Sequence, residues 1–302
     1  MAVVAVRPLD FARGERWAFQ SSHAALPTAH LRVVQVLVTA WLFTGQSLLW
    51  PAPERIPAQA WGVALALSSS ALCLGVLFTP FTRACCLGLA ALIALELVVS
   101  PTWFAHNRLF VCALLVMVSL SSRRFAALPR WQVALAYAAA AIDKALEPAW
   151  RDGRFFESFI AQLARFGLMW APGGKVGAPN PLAGWLDSLG TRPVWMLVGL
   201  SVIALELLLA ASFVVSWRPG AWANAAFHVG VFALTGGTMG QFFFAGAAAS
   251  LLLVRDEDQP PAWLPVLLTA GLAGPWTHRV FPVVLLVALA VFYLRTAPPS
   301  RR

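Results

Sequence analysis

Residues 193–216 read PVWMLVGLSVIALELLLAASFVVS, and this stretch decides the fold. Its apolar residues run on without alternation, and one charged residue, Glu206, interrupts them. A half-buried strand alternates apolar and polar positions, so a continuous run of this length reads as helix. About 20 apolar residues in helical form cross the hydrocarbon layer of a bilayer, so the stretch is expected to span a membrane. Working outward, comparable runs fall near 31–50, 59–79, 84–100, 105–121, 131–147, 220–235, 239–254, 262–273 and 280–295. The segment Trp263 to Ala273, about 11 residues, is short enough to lie in the membrane interface. Breaks at Pro51, Pro80, Pro101, Pro129 and Pro219 separate many of the runs. Continuous blocks exclude a transmembrane β-barrel, whose strands alternate. The expected fold is all-α, a polytopic transmembrane bundle of eight to ten helices, with no internal repeat.

Composition agrees. Of 302 residues, 60% are hydrophobic and 12% charged, with mean hydropathy +0.73. A soluble domain is about 45–50% apolar and about 25% charged, so this chain lacks the polar residues to cover a water-soluble core. A net charge of +9 would suggest nucleic acid in a soluble protein. Here the basic residues stand singly or in pairs between apolar blocks, and no basic stripe interleaves with aromatics. No nucleic-acid partner is expected; the partner is the lipid bilayer.

Arginine placement sets the orientation, because cytoplasmic loops carry the excess of Lys and Arg. With the N-terminus inside, thirteen arginines, Arg32, Arg83 and Arg218 among them, fall inside and eight basic residues, Arg108 among them, outside, Lys144 remaining in a span; together these are the 22 basic residues. The reading is therefore a multi-pass cell-membrane protein with a cytoplasmic N-terminus. Residues 1–30, with Arg7, Arg13 and Arg16 beside Phe11, Trp17 and Phe19, are expected to form an interfacial segment ahead of an uncleaved first span. A single transmembrane domain then covers 31–295, and 296–302 is a tail. Cys73, Cys85, Cys86 and Cys112 lie inside apolar runs without a CxxC pair, so they read as buried small side chains and no metal is expected.

The one long connection, 148–192, falls outside. Its first part, 154–165, places Phe156, Phe159, Ile160 and Leu163 at helical spacing, an amphipathic helix lying on the membrane surface or folding over the bundle. Its second part, 171–181, reads APGGKVGAPNP, an irregular loop in the position of a lid.

Charges at membrane depth cost a few kcal/mol each, which makes them functional candidates. They are Glu96, Asp143, Lys144, Glu206 and His228, with His106 at the outer start of the fourth span. Each has a structural alternative: Asp143 or Glu147 can neutralise Lys144, and Glu206 can pair with His228 to join two helices. The proposed topology puts Lys144 just below the outer surface and His106 on the same side. Tyr137, seven residues before Lys144, lies two turns away on the same helix face. A lysine at an apolar boundary is a usable base because desolvation favours a neutral amine; Asp143 beside it opposes this.

The stretch 137–153, YAAAAIDKALEPAWRDG, resembles the signature segment of the vitamin K-dependent gamma-carboxylase family, whose bacterial relatives are the HTTM (horizontally transferred transmembrane) proteins. The pattern there is a Tyr (Tyr137), small residues, a Lys (Lys144), then a Trp (Trp150) and an acidic residue followed by Gly (Asp152, Gly153). WFAHN at 103–107 resembles the family's His-containing segment, ELLLAA at 206–211 its Glu-Leu-Leu stretch, and FHVG at 227–230 its Phe-His helix. Order and spacing hold over roughly 30–254.

The resemblance implies a site on the outer face. Lys144 would be the base that deprotonates a reduced quinone of the vitamin K type, with O2 and CO2 as co-reactants, and His106 would stabilise a carbanion. Tyr137, Asp143, Trp150, Asp152 and Gly153 would shape the site, with Glu96, Glu206 and His228 as further intramembrane polar groups. The chain departs from the pattern by one extra residue between Lys144 and Trp150 and by an acidic residue at Asp143. It is also expected to lack the large luminal C-terminal region that grips the carboxylase substrate. Its size resembles that of short bacterial members, including one that matures a sporulation-delaying peptide toxin. Three functions follow: a quinol-dependent, carboxylase-like enzyme modifying a peptide or small substrate; a non-carboxylating factor for maturation or export of a secreted peptide, working with a neighbouring maturation protein; and a transporter, disfavoured by the absence of repeats and of a ring of charges.

Overall fold

The computed structural model describes residues 26–44, 60–99, 105–122, 125–166, 180–235, 241–261 and 263–273. Among them are twelve α-helices: α1 (Thr28–Thr44), α2 (Ala60–Phe78), α3 (Thr82–Val99), α4 (Ala105–Leu120), α5 (Leu128–Leu146), α6 (Pro148–Arg151), α7 (Arg154–Phe166), α8 (Pro181–Leu189), α9 (Arg192–Val215), α10 (Pro219–Thr235), α11 (Gln241–Ala249) and α12 (Trp263–Ala273). Two short 3-10 turns, Ser250–Leu253 and Asp256–Asp258, separate α11 from α12, and no strand occurs among the described residues. The described residues form an all-helical fold. The expected interfacial segment before Leu26, the lid loop up to Pro179, the run 280–295 and the tail 296–302 lie outside the described residues.

The helix count exceeds the expected eight to ten because the 148–192 connection itself carries three. Pro148 opens α6, where its fixed φ and missing N–H do no harm. Gly153 turns the chain at φ +81° into α7. Asn180 caps α8, its side-chain oxygen accepting from Leu182 N at 2.9 Å and Ala183 N at 3.3 Å. Pro148, Gly153 and Pro181 of this connection therefore sit at helix boundaries.

One hydrophobic core joins the long helices. Val33, Val34 and Val38 of α1 are fully buried, together with Ile93 of α3, Leu114 of α4, Val133 of α5 and Leu209 of α9. The most extensive pairing is α5 with α9, followed by α3 with α4. A second, smaller core of Ile160, Leu163, Ala183 and Trp195 holds α7 and α8 against the start of α9.

Helix α4 runs opposite to α1 and α3, as hydrogen bonds at one end of the bundle show. His30 at the start of α1 meets Ser121 Oγ after α4 at 2.7 Å, and Arg83 at the start of α3 donates to Ser119 O at 2.8 Å. Arg32 donates to Pro260 O at 3.2 Å, and Arg218 before α10 pairs with Asp258 at 2.7 Å. Arg32, Arg83 and Arg218, grouped together by the arginine count, thus share one end of the bundle. Arg108 departs from that count. The count treats it as an outer-loop signal, whereas it lies within α4, buried and paired with Glu96 of α3.

Among the described residues one helix, α9, is long and apolar enough to cross a membrane. Shorter apolar stretches are Thr28–Leu42, Leu67–Phe78, Arg108–Leu120 and Phe243–Leu253.

Candidate functional site

The site forms where α5, α9 and α10 meet. Tyr137 and Lys144 are seven residues apart on α5, and Phe213 and Glu206 are seven apart on α9. The two helices run antiparallel, so these positions make two rungs. In the lower rung the Tyr137 ring stacks on Phe213, with centroids 6.0 Å apart. In the upper rung Lys144 Nζ donates to Glu206 Oε1 at 2.8 Å and Oε2 at 2.9 Å, with a third contact to Ala140 O at 3.4 Å. The shared face read from the seven-residue spacing is present.

Trp150 roofs the upper rung, with its ring centroid 5.1 Å from Lys144 Nζ. The indole stacks on Phe155 at 3.9 Å, and Phe155 on Phe159 at 5.5 Å. Two glycines let this roof sit close to α9. A Cβ at Gly199 would lie 2.1 Å from Trp150 O, and one at Gly153 would lie 2.6 Å from Met196 N. Outside the roof Asp152 accepts from Arg154 N at 3.0 Å and Arg154 Nε at 2.7 Å, while Arg192 donates to Asp152 O at 2.9 Å. The Arg154 backbone N–H, ahead of the arginine side chains, holds the Asp152 carboxyl below the usual carboxylate range. Asp152 shapes the turn and does not face Lys144's partner.

The lower rung continues as a buried polar network. Asn224 Nδ2 donates to Gly246 O at 2.7 Å and to Ser250 Oγ at 2.8 Å, which turns its Oδ1 toward Tyr137. Tyr137 Oη spends its only proton on that oxygen. It therefore accepts from His228 Nε2, 2.6 Å away, so that nitrogen carries a hydrogen. Gly246 makes room for the imidazole, because a Cβ there would lie 2.0 Å from His228 Cε1.

Several expectations change. Lys144 pairs with Glu206, not with Asp143 or Glu147, both of which are exposed. Glu206 does not pair with His228, whose partner is Tyr137. Glu96 belongs to a separate buried pair with Arg108. His106 lies in the first turn of α4, and its side chain is outside the described residues. Asn224 was missed: it is uncharged, but a polar residue four before His228 in an apolar helix was a readable signal.

No family model, curated protein or solved structure matches the chain. No group of three or more potential metal ligands occurs among the described residues.

The residues can be tested against the quinol that the resemblance implies. An ammonium has three N–H bonds and no lone pair. All three of Lys144 meet protein acceptors, and the side chain of its carboxylate partner is 6% exposed. As arranged here the Lys144 ammonium offers a quinol hydroxyl no lone pair, so Lys144 would serve as the implied base only after giving up a proton as the pair opens. The chemistry the arrangement does support is a buried ion pair that fixes α5 to α9, continued by a neutral polar network that fixes α5 to α10 and the turn after α11.

Proposed function

We propose that the chain is a multi-span membrane protein of the carboxylase-like (HTTM) type, acting as a non-carboxylating factor in the maturation or export of a secreted peptide. The observation that carries this reading is the two-oxygen pairing of Lys144 with the little-exposed Glu206, which favours the ammonium over the free amine that the implied base requires. The membrane reading is supported by the low charge content and by large apolar side chains left uncovered along α5 and α9, among them Leu135, Ile142, Leu146, Leu197 and Val215. The family reading is supported by the convergence of Tyr137 with His228 and of Lys144 with both Glu206 and Trp150, all residues singled out by the resemblance. The N-terminus is cytoplasmic in this reading, and the α6–α8 cap faces outward.

Two measurements test it. Cells with and without the chain are compared by mass spectrometry of their secreted peptides, and loss or altered processing of a small peptide is expected on deletion. An unchanged set of secreted peptides sinks the reading. Labelled CO2 is then followed into membrane-associated and secreted peptides, where equal, background incorporation by wild type and Lys144→Ala is expected.

A carboxylase-like enzyme is the second reading, favoured by the 20% exposure of the Lys144 side chain beneath the Trp150 ring. It requires the pair to open. Incorporation of label by wild type that is lost in Lys144→Ala would establish it over the first.

A further inference from the structure

The 154–165 segment is the obvious amphipathic helix of this chain, yet its apolar side is already covered. Ile160 and Leu163 of α7 are buried against Ala183 and Trp195, with Phe156 and Phe159 beside them. The exposed positions of α7 are polar: Arg154, Glu157, Ser158, Gln162 and Arg165. Among its described side chains, no exposed apolar one remains to enter a membrane.

Its neighbour α8 is built the other way. Ala183 and Leu186 take the inner side, while Leu182, Trp185 and Leu189 stand out at 40%, 59% and 57% exposure. These three follow the i, i+3, i+7 spacing and lie within one narrow arc of the helix. The apolar arc of α8 is therefore wider than the protein covers.

The position of this arc identifies what covers it. Asn180 at the start of α8 donates through Nδ2 to Leu234 O at 2.6 Å, which fixes that point to the far end of α10. Gly190 and Thr191 lead at once into α9, so α8 lies level with the first turns of that helix. The uncovered apolar surface continues there through Val194, Met196, Leu197 and Leu200. A helix of 24 residues is about 36 Å long, longer than the roughly 30 Å hydrocarbon layer. The start of α9, and α8 with it, then falls at the boundary between acyl chains and headgroups. Tryptophan concentrates at that depth, where an apolar ring with one polar N–H is best solvated.

We infer that α8 is a membrane-interface anchor, seating Leu182, Trp185 and Leu189 in the outer leaflet while α7 turns its charged face to water. The inference rests on the multi-span reading above. It assigns the outer cap a fixed depth, with the Trp150 roof and Lys144 held next to the lipid boundary.

Cysteines are placed singly at Leu182, Trp185, Leu189 and Leu197 in a background with Cys73, Cys85, Cys86 and Cys112 replaced by Ala. Each is spin-labelled and the protein is reconstituted in phosphatidylcholine and phosphatidylglycerol nanodiscs. Collision with oxygen, which partitions into lipid, is compared with collision with a water-soluble nickel chelate. Oxygen is expected to dominate at all four sites, with Arg165→Cys on α7 giving the opposite result. Nickel dominance at 182, 185 and 189 with oxygen dominance at 197 overturns the anchor and leaves the multi-span reading standing. Nickel dominance at 197 as well overturns both. Low accessibility to both reagents at 182, 185 and 189 means a protein surface covers them, and also overturns the anchor. A readout on the native cysteine background guards against misfolding of the variants: lipids brominated near the headgroup quench tryptophan emission, and Trp185→Phe should lower the quenched share. An unchanged share overturns the anchor.

Discussion

Glu206 of α9 gives one carboxylate oxygen to each of two N–H bonds of Lys144 on α5, at 2.8 and 2.9 Å. The pair bridges 62 residues of sequence and ties the two helices with the most extensive contact in the fold. Breaking a buried pair by removing one partner costs about 3–5 kcal/mol, because the other charge stays buried and uncompensated. With 20% of the Lys144 side chain exposed, water relieves part of that. Glu206→Leu and Lys144→Met are each expected to destabilise by roughly 2–4 kcal/mol, read as a lower thermal midpoint in detergent. The double variant should recover most of the loss. A double variant as unstable as the sum of the singles would show that the two groups do not interact.

The polar network one rung below makes a different claim, about a proton position. Tyr137→Phe removes the hydroxyl that satisfies both Asn224 Oδ1 and His228 Nε2. Each buried group left without a partner costs about 1–3 kcal/mol, so a loss of about 2–4 kcal/mol is expected from the removal of one oxygen atom. Nitrogen-15 NMR of histidine-labelled protein should show the His228 Nε2 signal as a protonated, pyrrole-type nitrogen. A proton-free Nε2 would reverse the direction of the chain of hydrogen bonds from His228 through Tyr137 to Asn224.

The helical class and most of the long helices were legible in the sequence, because apolar runs and their proline breaks are local properties. The spacing of Phe156, Phe159, Ile160 and Leu163 gave α7, and the seven-residue step from Tyr137 to Lys144 gave a shared face. What escaped was pairing. Asp143 and Glu147 are the nearest carboxylates to Lys144 along the chain, but helix geometry turns them outward and the packing of α5 on α9 brings Glu206 instead. Arg108 read as an orientation signal because its position fell at the end of a run; only the placement of α3 beside α4 reveals Glu96 opposite it. Asn224 carries no charge, so the cost of charge at membrane depth does not single out the residue that orders the network. The α8 helix is short, and Pro181, Gly184 and Gly190 break up its local pattern, so the spacing of Leu182, Trp185 and Leu189 stands out only once the helix is in place.

The turn after α6 should respond to acid. The Asp152 carboxyl is held below its ordinary range, first by the Arg154 backbone N–H and then by the Arg154 and Arg192 side chains. A carboxyl whose folded pKa lies below its unfolded value adds stability above the unfolded pKa, and that contribution is lost as pH falls through the folded one. The order of this turn is therefore expected to be constant near neutrality and to decline only below the usual carboxylate range. Hydrogen exchange of the Arg154 amide measures it directly: exchange, corrected for its intrinsic pH dependence, should accelerate at acid pH in wild type. In Asp152→Asn the corrected rate should be independent of pH over the same range, and persistence of the acid step would assign it to another group.

The sharpest local test concerns Gly153, whose φ of +81° lies in the left-handed region. A non-glycine residue held in such a conformation costs about 1–3 kcal/mol. Space adds to this, since a Cβ there would stand 2.6 Å from Met196 N, 2.9 Å from Trp195 C and 3.0 Å from Arg192 O. All three are backbone atoms of α9 and cannot rotate aside as a side chain tip would. Gly153→Ala must therefore push the α6–α7 turn off α9, lifting Trp150 from above Lys144. The expected result is a loss of at least about 2 kcal/mol, together with a change in the emission of the Trp150–Phe155 stack. Gly184 supplies the control, because it lies within α8 and a Cβ there meets nothing within 4 Å. Gly184→Ala should be stabilising by about 0.5–1 kcal/mol, the ordinary gain for alanine in a helix. Equal midpoints for the two variants would mean that the turn is not pressed against α9 and that Trp150 is held over Lys144 by some other contact.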